Sequence, residues 1–307
     1  MPQVSIVMAA YNHGAFISMA IESALAQTLG DIEILIVDDG STDSTPEVVS
    51  PYLADPRVRY FRQNNQGQAS AKNFGISQAS GEFVAFLDAD DIWMPRKLER
   101  QIPLFADTMV GVVHCLREII DPQGCKRPYR PRSLPRGDVI NEMFIDNFVC
   151  FSSSIVRRAC FKELGVFDER LRLGIDYELW LRLASRYAFD HIDEPLVSYR
   201  TGHGQLSNSG EERLQTALKI MDQCLCNSSI RPKLRTDVIR EAYAMTHNSI
   251  AIMHLDSGKL LKTWLNVYTS LRYKPTYFDT YKTVIKSVTP QWALRLRRCI
   301  NPDPTNS

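Results

Sequence analysis

Short apolar runs alternating with amphipathic stretches fill the first ninety residues, and this alternation limits the fold more than any other feature of the chain. Residues 4–9 (Val-Ser-Ile-Val-Met-Ala) read as a buried strand, broken by Tyr11-Asn12-His13-Gly14. Residues 16–27 place Ile17, Ile21, Ala24 and Leu25 on one helical face, with Gly30 as a stop. Residues 32–37 are apolar except for Glu33, as in a strand covered on both faces along most of its length. Thr45-Pro46 supplies a cap and a first-turn proline for a helix to about Leu53. Strands over 58–61 and 82–87, and a helix over 68–79, continue the pattern. The expectation is an α/β fold, a mostly parallel, twisted and doubly wound sheet flanked by helices.

The organisation changes after about residue 120. Residues 121–136 hold four prolines among five basic residues, which is loop composition. Beyond it, strands are expected over 148–156, 189–192 and 196–199, a helix end at 161–165 and a helix over 176–186. From Glu211 onward the pattern is helical. Three parts follow: 1–120, 121–210, and a helical C-terminal extension over 211–307. No internal repeat has a convincing period.

A hydrophobic share of 44% and a charged share of 23% describe an ordinary soluble globular chain. The net charge of +1 argues against a whole-chain polyanion binder. It is unevenly spread, because residues 211–307 carry 15 Lys+Arg against 8 Asp+Glu. The seven cysteines show no C-x-x-C pair, and Cys224 and Cys226 are wrongly spaced for a zinc knuckle. Reduced thiols are expected, in a cytoplasmic protein with no signal peptide before the first strand and no membrane-length apolar run.

Three acidic clusters carry the chemistry. Asp38-Asp39-Gly40-Ser41 follows the second strand, Asp88-Ala89-Asp90-Asp91 the fourth, and Asp176 opens the stretch Asp-Tyr-Glu-Leu-Trp-Leu-Arg-Leu. Ligands of open α/β sheets collect beyond the carboxyl ends of strands, so the first two clusters should share a crevice. Carboxylates gathered there repel unless a cation or hydrogen-bond donors sit among them. A nucleoside diphosphate leaves readily only when its charge is neutralised, and Mn²⁺ or Mg²⁺ held by one or two carboxylates does this. Asp88 and Asp90 can divide that task between the ribose or metal shell and direct coordination. Asp39 can accept the imide N–H of a uracil, with Gly40 allowing close backbone approach. Taken singly, each cluster also reads as a turn or a helix cap, the acidic turn capping a helix near Trp93-Met94-Pro95.

Taken in order, with Asn65-Gln66-Gly67-Gln68-Ala69-Ser70-Ala71-Lys72-Asn73 between the first two and Gly174-Ile175-Asp176-Tyr177-Glu178-Leu179-Trp180 after them, the motifs resemble those of the family 2 inverting glycosyltransferases with the GT-A fold. The resemblance covers about residues 3–207. It implies a nucleotide-binding half and an acceptor-binding half without a real linker. By it, Asp39 is the base-contacting residue, Ala10 and Tyr11 form the other wall of that pocket, and Asp88 and Asp90 match the D-x-D. Asp90 is then the direct metal ligand and Asp88 lies nearer the ribose. Asp176 aligns with the catalytic base, although Ile175 stands where Glu is usual. Implied, too, is a single in-line displacement with inversion. The resemblance also implies a glycan or lipid-linked saccharide of bacterial surface type as the acceptor, and a nucleotide sugar, UDP-sugar in preference, as the donor.

Other residues have two readings each. His203 is a diphosphate or metal contact or a solvated loop histidine. Lys72 faces the diphosphate or lies on an exposed helix face, and Arg200 suits a structural ion pair at least as well as a ligand contact. Trp180 and Leu183 pack in the core, stacking on an acceptor sugar being the second reading of Trp180. Between Lys259 and Arg298 nine basic residues face a single acid, Asp279, and alternate with aromatics such as Trp264, Tyr268 and Trp292. Such a tail suits peripheral contact with anionic lipid at the inner face of the plasma membrane, or a helical cap with a solvated basic face. Nothing else supports nucleic acid. Rival readings are a sugar nucleotidyltransferase, disfavoured because Ala9-Ala10-Tyr11-Asn12-His13-Gly14 is not the Gly-rich, basic phosphate loop expected after its first strand, and an inactive scaffold in a glycan-assembly complex.

Overall fold

The computed structural model describes residues 2–130, 133–202 and 210–289. The alternation is present as β1 (Val4–Ala10), α1 (Ile17–Leu25), β2 (Ile32–Asp38), α2 (Thr45–Val49), β3 (Val58–Arg62), α3 (Gln68–Gln78) and β4 (Phe83–Phe86). It continues with β5 (Ile92–Trp93), α4 (Lys97–Gln101), β6 (Val110–Ile120), β7 (Lys126–Arg127), α5 (Ile140–Ile145), β8 (Ile155–Arg157), α6 (Arg158–Leu164), α7 (Ile175–Ala184) and β9 (Ala188–Arg200). Helices α8 (Gly210–Cys226), α9 (Thr236–Asp256), α10 (Leu260–Tyr273) and α11 (Phe278–Val288) follow. Contacts divide the chain into two compact units, Met1–Met143 with Asn147–Gln205, and Phe144–Asp146 with Leu206–Ser307.

The first unit is built on one sheet, ordered β3-β2-β1-β4-β8-β6-β9-β5, with β7 on β6. Strands β3, β2, β1 and β4 are parallel, and the sheet becomes mixed at β8, which runs antiparallel to β4 and β6. Every residue of β2 is buried, as its apolar run requires. Glu33 is tolerated there because Ser5 Oγ (2.6 Å) and Ser80 N and Oγ (2.8 and 2.7 Å) donate to it. Burial pushes its carboxyl pKa up, but these bonds and Arg59 outweigh burial and hold it below the ordinary value. Helix α3 lies close on β1 at Gly75, where an added Cβ would come 2.5 Å from Val7 Cγ1.

Several local expectations are corrected. Thr45 is the first residue of α2 rather than its cap, and Asp43 Oδ1 accepts from Thr45 N (3.0 Å) two residues upstream. The helix expected near Trp93 is the short strand β5, paired with β9, and α4 starts only at Lys97. Residues 148–156 yield a strand only at β8. Ser153 and Ser154 hydroxyls bond the carbonyls of Cys150 and Phe151 (2.6 and 2.7 Å), holding a 3-10 turn at Phe151–Ser153. The two strands expected over 189–199 are one, which bulges against β6 around Pro195.

Lys97 is fully buried in this sheet's packing, 3.9 Å above the Trp93 ring, and its Nζ has no hydrogen-bond partner among the described residues. Burial pulls its pKa down to about 8 from 10.5. Below pH 8 both folded and unfolded chains carry the proton, and the folded state bears the full cost, about 3 kcal/mol. Between the two values only the unfolded chain stays protonated, so stability recovers as pH rises. Lys97→Met should therefore raise the thermal midpoint at pH 7 and lose most of that gain by pH 10. A constant offset at both pH values would refute the assignment.

Candidate functional site

Strands β2, β1 and β4 lie side by side, so the loops after them open at one edge of the sheet. Asp39 follows β2, and its N–H donates to the Ala10 carbonyl (2.8 Å), tying it to the end of β1. Its buried carboxylate accepts Gln63 Nε2 (2.8 Å) and Gln66 N (2.9 Å) at Oδ1 and Gly67 N (2.8 Å) at Oδ2. Three of its roughly four lone-pair positions are thus occupied by the chain's own loop. Gly40 has φ of 79°, and a Cβ there would lie 2.9 Å from Asn65 N. The close backbone approach expected at this glycine is made by that same loop. An open hollow of about 550 Å³ lined by Gly40, Arg62, Gln63, Asn64 and Asn65 adjoins it. Tyr11 is exposed at the end of β1, and the following Asn12 takes a left-handed φ of 58°. Asp38 is structural: Ser41 N (2.7 Å) and Tyr60 Oη (2.5 Å) donate to it.

The second acidic turn leaves β4. Lys72, on α3, is buried and reaches Asp88 Oδ1 at 3.2 Å, with its Nζ 3.9 Å from the Phe151 ring centroid. The exposed-face alternative for this lysine is therefore excluded. Burial and the neighbouring Asp90 push the Asp88 carboxyl above its ordinary pKa, against the pull of Lys72 and of His13. Asp91 is fully buried and raised further, by burial first and then by Asp90 and Asp88. Ser152 Oγ (2.5 Å) and Arg200 N (2.9 Å) donate to it, so it anchors the turn from behind. Three carboxylates within four residues thus leave an excess of negative charge.

Asp176 lies in the first turn of α7, whose N-cap is Gly174 with φ of 70°. It is therefore not the cap, and its half-buried carboxylate accepts Asn147 Nδ2 at 2.7 Å. The neighbouring Ile175 is buried, so the position where Glu is usual contributes to the core here.

Helix α3 connects the three clusters. Gly67, its N-cap, holds Asp39; Gln68 Nε2 donates to Arg172 O (3.1 Å), three residues before α7; Lys72 meets Asp88; Asn73 bonds Phe167 N and O (2.9 and 3.0 Å).

A profile of glycosyl transferase family 2 matches residues 5–165. The chain belongs to that family. Among curated relatives, an uncharacterised glycosyltransferase of Rickettsia typhi is 34% identical over 223 residues, 70% of this chain and 69% of the relative. Chondroitin synthase of Escherichia coli is 30% identical over 236 residues, 75% of this chain but 34% of the synthase. Among solved structures, S. aureus TarS 1-349 in complex with UDP-GlcNAc superposes with a TM-score of 0.65 at 15% identity, covering 91% of this chain and 93% of that one. Mannosyltransferase PcManGT of Pyrobaculum calidifontis, in complex with GDP-Man and Mn²⁺, gives 0.64 at 17% identity, covering 98% and 88%. The fold of this glycosyltransferase is accordingly GT-A.

Of the remaining residues singled out in this family 2 enzyme, His203 lies outside the described residues. The Arg200 guanidinium is fully buried and binds the carbonyls of Asp90 (2.8 Å), Asp121 (3.1 Å) and Pro122 (2.9 Å). It joins the acidic turn to the loop after β6. Trp180 is buried against Phe151 and Phe189, which removes it as an acceptor platform. Sequence reasoning missed Asn147, Ser152 and Arg117. Arg117 lies between the Tyr199 and Tyr129 rings (4.9 and 5.8 Å), and its Nε is buried without a partner among the described residues. None of the three sits in a motif, and only their partners disclose them.

Proposed function

We propose that this glycosyltransferase moves a sugar from a nucleotide-diphosphate donor, UDP-sugar in preference, to a hydroxyl of a glycan or glycolipid, with inversion and with help from a divalent cation. Residues 1–120 form the donor half and 121–210 the acceptor half. The carrying observation is the Asp88–Lys72 pair beside Asp90, at the same sheet edge as Asp39. The similar structures, one in complex with UDP-GlcNAc and the other with GDP-Man and Mn²⁺, support a nucleotide-sugar donor and a metal.

Among the described residues no group of three or more His, Cys, Asp or Glu is arranged to hold an ion unaided. The donor set still fits a hard cation that takes few protein ligands and completes its shell with phosphate oxygens. Asp90 disfavours the charge on Asp88 two residues away even with Lys72 paired to it, and both carboxylates offer oxygen alone. They would hold the ion, which when bound neutralises the leaving diphosphate. Asp39 and its loop, with Ala10 and Tyr11, receive the base. Lys72 offers an ammonium to a phosphate oxygen in exchange for Asp88. Asp176, steadied by Asn147, takes the acceptor hydroxyl's proton as that oxygen attacks the anomeric carbon and the bond to the diphosphate breaks. One displacement from the opposite face gives inversion.

A panel of UDP-, dTDP- and GDP-sugars, assayed for hydrolysis or transfer with and without Mn²⁺, tests this reading. Turnover of at least one donor, with product of opposite anomeric configuration by NMR, is expected. Retention of configuration, or no donor turned over, would overturn it.

A further inference from the structure

Helices α10 and α11 in the second unit are built inside out. The residues they bury are largely hydroxylic: Thr263, Ser270, Thr280 and Thr283 are each no more than 1% exposed. Their hydroxyls are satisfied internally, Ser270 Oγ by Thr280 Oγ1 (2.7 Å) and the Ala244 carbonyl (2.8 Å), Thr283 Oγ1 by Asn248 Oδ1 (2.8 Å). The large apolar side chains point outward instead. Leu261, Leu265 and Tyr268 recur at helical spacing on α10 and are 77%, 57% and 67% exposed. Phe278, Ile285 and Val288 do the same on α11, at 69%, 61% and 65%. An amphipathic helix in water hides such a stripe, and a contiguous exposed one marks a surface meant to be covered.

The charge pattern identifies what covers it. Residues 259–289 hold six basic side chains and one acid, Asp279, and that acid is paired with Lys282. Lys262, Lys282 and Lys286 each follow an outward apolar residue in sequence, so they flank the stripe about a quarter-turn round the helix. A second copy of this chain seated by two-fold symmetry on the same face would set one predominantly basic surface against another, which repels. A bilayer carrying anionic headgroups attracts these lysines, and their aliphatic stems can lie along the acyl boundary while the ammonium groups stay in water. No helix among the described residues is long and apolar enough to cross a membrane.

We infer that α10 and α11 form an interfacial docking face for an anionic phospholipid bilayer, seated by the outward apolar stripe and oriented by its flanking lysines. This surface is independent of the donor reading.

The test is co-sedimentation of the full chain with vesicles of phosphatidylcholine alone and with phosphatidylglycerol added. Phosphatidylglycerol should raise the bound fraction about tenfold or more at low salt, and 0.5 M salt should remove most of that increment. The double variant Leu261→Glu/Leu265→Glu should lose binding to both vesicle types. The charge reversal Lys282→Glu/Lys286→Glu should lose only the phosphatidylglycerol increment. Both variants should keep the wild-type thermal midpoint within about 2 °C, because these side chains are exposed. Absence of binding to anionic vesicles, or binding that both variants retain, would overturn the inference. So would a concentration-dependent dimer abolished by Leu261→Glu/Leu265→Glu, which would assign the face to a second copy.

Discussion

Asp176→Asn should lower transfer by about 10²–10⁴-fold while leaving donor affinity, measured by calorimetry, nearly unchanged. The substitution keeps size and shape but removes the capacity to accept a proton. The site tolerates it sterically, since among the described residues this carboxylate accepts from Asn147 Nδ2 at 2.7 Å, and an amide oxygen can accept the same bond. Asn147→Ala should cost less, because it frees the base to rotate without removing it. The two variants together should lose little more than Asp176→Asn alone, as expected of residues acting through one another. Transfer retained by Asp176→Asn would place the base elsewhere.

Removing the divalent cation should be as damaging. EDTA treatment is expected to cut turnover by about 10³-fold, the scale of several kcal/mol of charge stabilisation at the leaving diphosphate, with recovery on adding Mn²⁺. Asp90→Asn should reproduce the loss and also weaken Mn²⁺ binding to the UDP complex, followed by electron paramagnetic resonance. Asp91→Asn supplies the contrast. Its carboxylate is fully buried and accepts from Ser152 Oγ and Arg200 N, so its replacement strands a buried donor and lowers stability by roughly 1–3 kcal/mol without setting the Mn²⁺ affinity. Equal turnover in EDTA would remove the metal from the reaction, and unchanged Mn²⁺ binding in Asp90→Asn would remove Asp90 as its ligand.

The parallel half of the sheet was readable because its signals are local. A buried strand such as β2 is apolar along most of its length, and the acids at its end and at that of β4 stand out against such runs. Legibility failed where side chains competed with the ladder for backbone groups. The serines after Cys150 turn residues 151–153 away from the strand that their composition suggests. Pro195 does not divide β9, because β9 bulges there against β6 and the pairing resumes beyond it.

The candidate site divides along the same line. Asp39, Asp88, Asp90 and Asp176 were visible as residue types in order, whereas their partners were not. Lys72 reads from its own helix as an ordinary surface lysine, and only the packing of α3 buries it beside Asp88. Asn147 and Ser152 lie in stretches without a motif, and their importance exists only through residues 29 and 61 positions away.

By itself the sequence determined the strand and helix alternation, the acids at the strand ends and the basic character of the C-terminal helices. All of these follow from periodicity and charge within a short window. The tertiary structure alone decided which groups neutralise those acids, that Asp39 already holds its own loop, and that α10 and α11 turn their hydroxyls inward and their large apolar side chains outward. A helix's periodicity shows that two faces differ. Which face meets protein and which meets solvent depends on what packs against it, and that partner lies elsewhere in the chain.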